Sequence, residues 1–140
     1  MQAKLIKEAR TYLGVPWVHQ GRTKRGVDCA GFILLAMWSL GIKAESMKGY
    51  ARQPDGILLK QTLDNQTSLR PLTHNEIPQA GDIILLRIKK HPQHVALLTD
   101  SNTAELGMIH SYNGGNKKVI EHDFSEYWQK KVVQVYRLNL

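Results

Sequence analysis

Cysteine occurs once in this chain, at Cys29, while histidine occurs at His19, His74, His91, His94, His110 and His122. A thiol within hydrogen-bond reach of an imidazole, itself oriented by a third group, is a device for nucleophilic acyl transfer. Cys29 stands at the start of an apolar run, directly after Asp28. A thiol at a helix N-terminus is stabilised as thiolate by unpaired amides and the positive end of the dipole. Asp28 opposes this, since a neighbouring carboxylate raises a thiol pKa, and an imidazolium partner would have to outweigh it. His94 opens the apolar stretch His94-Val95-Ala96-Leu97-Leu98, and His110 lies in Met108-Ile109-His110-Ser111-Tyr112. On neighbouring strands facing the helix start, these two can serve as base and orienting group. A lone cysteine in an apolar helix is otherwise a small buried hydrophobe.

Helices come first along the chain. Ala3, Leu5, Ile6, Ala9, Tyr12 and Leu13 recur at helical spacing over residues 3–13, and Gly14 and Pro16 end that helix. Val15 to Val27 reads as a loop rich in glycine and basic residues. The next helix starts at Asp28, whose carboxylate caps the amide of Gly31 or Ala30. It runs to Gly41, is apolar nearly all round, and should be the buried central helix. Gly31 costs about 1 kcal/mol against Ala inside a helix, which suggests that a strand approaches closely there. A third helix is expected over Asp55 to Leu63.

After Ala80-Gly81-Asp82 the period changes. Strands are expected over 83–88, 94–99, 107–112, 117–121 and 132–138, with a hairpin turn at Asn113-Gly114-Gly115-Asn116 and a short helical turn over 124–129. Helices followed by an antiparallel sheet make an α+β fold, here one domain over residues 1–140.

With 140 residues, the chain has an ordinary apolar share of 42%. That excludes disorder and coiled coil as the main theme. One cysteine excludes a disulfide framework and a cysteine-rich zinc site. His91-x-x-His94 could ligate zinc, but it spans a proline-containing turn with no helpful third ligand beside it, so no metal is expected. No cofactor fingerprint is present. The longest apolar run, Ala30 to Trp38, is too short for a bilayer, which needs about 20 residues. The charged N-terminus does not read as a secretory signal, so synthesis in the cytoplasm without Sec export is expected. The net charge of +7 suits anionic wall polymers or nucleic acid. Aromatics at 7% are not interleaved with basic residues, and no nucleic-acid partner is expected.

Taken together, the pieces Tyr12-Leu13-Gly14-Val15-Pro16-Trp17, Asp28-Cys29-Ala30-Gly31-Phe32, Ala80-Gly81-Asp82, His94-Val95-Ala96 and Met108-Ile109-His110 resemble, in order, the NlpC-type cysteine peptidases, papain-like enzymes of bacterial cell walls. The resemblance implies that fold, with Cys29 as nucleophile, His94 as base and His110 as orienting third member. It puts Trp17, His19, Asp28 and Ala30 at the substrate pocket. It implies hydrolysis of peptidoglycan stem peptides, often between D-glutamate and a diamino acid. Trp17 replaces the family's usual Tyr, an indole that only donates. Ala30 replaces a frequent Ser, which leaves backbone amides to stabilise an oxyanion.

A narrower resemblance is to the branch encoded in phage tails and gene-transfer particles, carried by His19-Gln20 and by Tyr127-Trp128-Gln129-Lys130-Lys131 before the last strand. It implies tail or particle proteins as partners, a place in the virion tail, and action in the periplasm or wall of a target cell. The alternative is a structural tail-tip component on the same fold without peptidase activity.

Overall fold

The structure is a computed structural model that describes residues 1–46, 57–89 and 91–140, with the backbone alone at His91 and Pro92. Helix α1 spans Gln2–Arg10 and buries Leu5, Ile6 and Ala9. It ends three residues earlier than the periodicity suggests. Gly14 adopts the left-handed conformation (φ +86°) beyond it, and the Gly14 amide donates to the Val119 carbonyl.

The stretch expected as loop holds a small antiparallel hairpin, β1 (Arg22–Thr23) and β2 (Gly26–Val27). Two-residue strands are too short to show an alternation, so the sequence gives no sign of them. Helix α2 spans Cys29–Ser39 with Asp28 as N-cap. Its Ala30, Gly31, Phe32, Ile33, Leu34, Ala36 and Met37 are buried, in keeping with its apolar character. Burial of one such large side chain stabilises by about 1.5–3 kcal/mol. Helix α3 covers Ile57–Asp64; the expected start at Asp55 lies outside the described residues.

Six strands form one antiparallel sheet: β3 (Leu69–Pro71), β4 (Ile83–Ile88), β5 (His91–Thr99), β6 (Gly107–Tyr112), β7 (Lys118–Asp123) and β8 (Val132–Leu138), in the order β3-β8-β4-β5-β6-β7. Strand β3, three residues with a terminal proline, was not expected. Helix α4 is the single turn Glu126–Gln129. The fold is α+β, as the order of elements implies.

Both faces of the sheet are covered. Ile83, Leu85, Val95, Leu97, Ile109 and Val119 pack with α1, α2 and α3 on one face. Ile84, Leu86, Ala96, Leu98, Met108 and Val135 point to the other, under Phe124 and Trp128. This double burial explains the continuous apolar runs of β4 and β5. An ion pair joins β8 to the start of β4, with Asp82 fully buried: Arg137 Nε and Nη2 donate to Asp82 Oδ1 and Oδ2, each at 2.9 Å. No helix among the described residues is long and apolar enough to cross a membrane.

One local departure from regular pairing organises the rest. The β5–β6 ladder holds Leu97↔Ile109, Leu98↔Met108 and Thr99↔Gly107 and goes no further. The first half of β5 is paired with β4 alone. The N-terminus of α2 enters the resulting split.

Candidate active site

Asp28 fixes the entry of α2. Its Oδ1 accepts from the Gly31 amide at 2.8 Å and from Arg22 Nη1 at 3.0 Å, and its Oδ2 accepts from the Gln20 amide at 2.9 Å. One buried carboxylate thus caps the helix and binds the preceding loop to it. Gly31 is required by a close approach, that of the β1 segment rather than the large sheet. A Cβ there would collide with the carbonyl oxygen of Gly21 and crowd Arg22 Nη1. The cap takes the Gly31 amide, and the Ala30 amide bonds to the Cys29 thiol.

Cys29, partly exposed, brings its Sγ to 4.0 Å from the carbonyl oxygen of Gln93, and the Val95 amide also bonds to it. In a strand, Gln93 and Val95 point these groups to the same side, toward the position β6 has vacated. The sulfur therefore meets the backbone on either side of His94. No hydrogen bond between Cys29 Sγ and the His94 ring occurs among the described contacts. Such contacts are often long before substrate binds and tighten in the complex.

His94 is buried, only 5% exposed, and sits inside β5, because the strand begins three residues earlier than expected. It does not lie at the sheet rim. It shares the face of Ala96 and Leu98, the face opposite α2. His94 Nε2 lies 2.6 Å from His110 Nδ1, so the two expected imidazoles do meet. His110 is fully buried, with its ring stacked on Tyr112 at 5.2 Å and met edge-on by Trp128 at 5.2 Å.

A third imidazole follows that the sequence does not single out. His110 Nε2 lies 2.8 Å from His122 Nε2, and His122 Nδ1 lies 2.9 Å from the carbonyl oxygen of Asp123. Strand register was the missing signal. Ile120 faces His110 and His122 lies two residues on, a diagonal neighbour on the same face.

Burial governs the charges. It pushes both His94 and His110 well below the ordinary imidazole range, and His94 and His122 lower His110 further. For Cys29, burial and then the Asp28 carboxylate push the thiol up to about 12, while the Val95 and Ala30 amides and Arg22 pull the other way. At the sulfur, desolvation and Asp28 outweigh the Val95 and Ala30 amides, and the balance favours the protonated thiol.

The remaining expected residues form two groups. Trp17 and His19 stack on each other with ring centroids 6.4 Å apart. Trp17 is held through its amide, which donates to the Lys117 carbonyl at 2.7 Å. Ala30 is buried and lines an apolar hollow with Ile33, Leu34, Leu59, Leu63 and Val95. No group of three or more His, Cys, Asp and Glu side chains suited to a metal ion occurs among the described residues. The His91 side chain, half of the weighed zinc pair, lies outside them.

A helix N-terminus bearing a thiol, set into a split sheet beside paired histidines, is an arrangement of papain-like proteins. The chain belongs to the NlpC/P60 family, whose profile matches residues 14–137. Among solved structures it is similar to the NlpC/p60 domain of the peptidoglycan hydrolase SagA, with a TM-score of 0.63 and 18% identity over 100% of this chain and 99% of that one. It is also similar to an NLP/P60 family protein from Staphylococcus aureus subsp. aureus Mu50 described as similar to lipoprotein (TM-score 0.63, 22% identity, 99% of this chain and 41% of that one). A Bacillus cereus ATCC 10987 protein of the family gives 0.65 and 19% over 96% and 39%. The chain thus spans about two-fifths of the length of these last two. At such identities the likeness is one of fold. None of the curated proteins matches.

Proposed function

We propose that this protein is a cysteine peptidase that hydrolyses amide bonds in peptidoglycan stem peptides, with Cys29 as nucleophile, His94 as base and His110 as the group that orients it. The observation that carries the reading is the seating of Cys29 Sγ against Gln93 and Val95, with His94 between them bonded through Nε2 to His110. That bond leaves Nδ1 as the His94 nitrogen able to act as base. The similarity to SagA, a peptidoglycan hydrolase, and to Ly7917, solved with a hydrolysis product of MDP, supports the substrate class.

The resting pair is neutral, so the proton moves as the bond forms. His94 Nδ1 accepts the Cys29 proton while Sγ attacks the amide carbonyl carbon. The Cys29 and Ala30 amides, at the positive end of the α2 dipole, are assigned as the donors to the developing oxyanion. His94 then gives the proton to the leaving amine, which departs and leaves a thioester on Cys29. Water attacks the thioester, His94 takes its proton, and the proton returns to sulfur as the carboxylic acid leaves. Trp17, His19, Asp28 and Ala30 are assigned to the substrate pocket, with Asp28 acting by holding its wall to the helix.

Purified muropeptides incubated with the protein and read by mass spectrometry test this. Cleavage by the wild type, absent in Cys29→Ala, is expected. No cleavage, or equal cleavage by the variant, refutes it. The bond assigned is the one between D-glutamate and the diamino acid, and the setting assigned is a phage tail. His19-Gln20 and the Tyr127–Lys131 turn support that setting. A second reading, a structural tail component without activity, draws on the raised Cys29 pKa.

A further inference from the structure

We propose that His122 is a positioning residue that sets the tautomer of His94 through His110, with the Asp123 carbonyl as the fixed end of the chain. The inference rests on the peptidase reading for its consequence, though not for its geometry. A carbonyl oxygen only accepts, so His122 Nδ1 carries the proton it donates to Asp123. In a neutral ring the other nitrogen is then bare, and His122 Nε2 accepts from His110 Nε2–H across 2.8 Å. His110 Nδ1 is bare in turn and accepts from His94 Nε2–H across 2.6 Å. The last ring is left with an unprotonated Nδ1, the form a general base needs.

The order matters because the chain has two self-consistent directions. Reversed, His110 Nδ1–H would donate to His94 Nε2, and the His94 proton would sit on Nδ1, where it blocks the base. The Asp123 carbonyl opposes the reversed direction, because a bare His122 Nδ1 would face an acceptor. Tyr112 and Trp128 pack around His110 and limit the ring flips that could bypass the constraint. His122 itself is half-buried and borders a polar surface hollow with Arg10, Asp100, Ser101, Glu121 and Asp123. Its ring partners are His110, Trp128 and the Asp123 carbonyl, so its action on His94 passes through His110.

Removing His122 Nε2 leaves the buried His110 Nε2–H without an acceptor, which is costly. The reversed direction avoids that cost and so gains population. In serine peptidases a wrong tautomer of the base costs up to about 10⁴ in rate. One ring further away, a loss on the order of tenfold in kcat is expected for His122→Phe, with KM unchanged. In His122→Gln the amide oxygen can accept from His110, and kcat is expected to return to within about threefold of wild type.

The deciding measurement is the nitrogen chemical shifts of the histidine rings in the ¹⁵N-labelled full chain at neutral pH, assigned with single-histidine variants. Protonated Nδ1 at His122, with protonated Nε2 at His110 and His94, is the expected result. His122→Phe should raise the share of protonated Nδ1 at His94. Protonated Nδ1 at His94 in the wild type, or no change in His94 on removing His122, overturns the inference. These spectra need no substrate, so failure to cleave muropeptides would refute the peptidase reading while the shifts still decide the tautomers. With activity present, equal kcat for wild type and His122→Phe also overturns it.

Discussion

The sulfur of Cys29 lies 4.0 Å from the carbonyl oxygen of Gln93, in the position a β6 residue would hold if the sheet were continuous there. Helix α2 lies on one face of the sheet and the imidazoles of His94 and His110 on the other. The sulfur reaches the β5 backbone on either side of His94 only because the strands part. Chemistry at this site therefore depends on a gap in the ladder as much as on the residues around it.

Alkylation of Cys29 follows from its surroundings. Burial and Asp28 hold the thiol protonated, up to about 12, so less thiolate exists at neutral pH than for an ordinary cysteine. The iodoacetamide rate of the free protein should keep climbing above pH 8.5 and show no plateau on the acid side. Asp28→Asn, which removes the charge next door, should raise the rate at pH 8. A plateau between pH 5 and 7 would instead reveal a preformed ion pair.

Acid should weaken the fold. His94 and His110 have pKa values lowered by burial, so the unfolded chain binds protons that the native one excludes. Their contribution is present above the unfolded value of about 6.5 and is lost as pH falls toward the folded values. Each can remove up to about 1.4 kcal/mol per pH unit in that window. Urea midpoints measured from pH 7.5 to 5 should fall, and His110→Gln should flatten the slope. A midpoint independent of pH over that range would contradict the burial of these rings.

Gly31→Ala should destabilise despite the better helix propensity of alanine. The added methyl meets the backbone carbonyl of Gly21, which cannot rotate away. A loss of about 2 kcal/mol in urea unfolding is expected from overpacking. A gain near the helix-propensity value of about 1 kcal/mol would show that the hairpin gives way freely.

Arg137→Met should be costly for a different reason. Asp82 is fully buried and would keep a charge with its bidentate partner gone. Breaking such a pair costs about 3–5 kcal/mol. The double variant Asp82→Asn/Arg137→Met should be more stable than Arg137→Met alone, since no uncompensated charge remains. Equal stability of the two would mean that the pair contributes only packing.

Much of this architecture is legible in the sequence, because its long elements repeat their signals. The apolar run of α2, its Asp28 cap and the strands β4, β6 and β8 declare themselves by composition and period. Strands β1 and β2 do not, since two residues cannot alternate, and β3 ends on a proline that argues against a strand. At the site, Cys29, His94 and His110 stand out by type and position. Two properties do not. The Cys29 pKa depends on burial, which no spacing encodes, and His122 depends on register across a turn.

Asp28 holds Gln20, Arg22 and Gly31 at once. The segment bearing Trp17 and His19 is thereby yoked to the helix that bears the sulfur. Under the proposed peptidase reading, a substitution that re-aims this segment also moves the thiol, so selectivity and reactivity would change together.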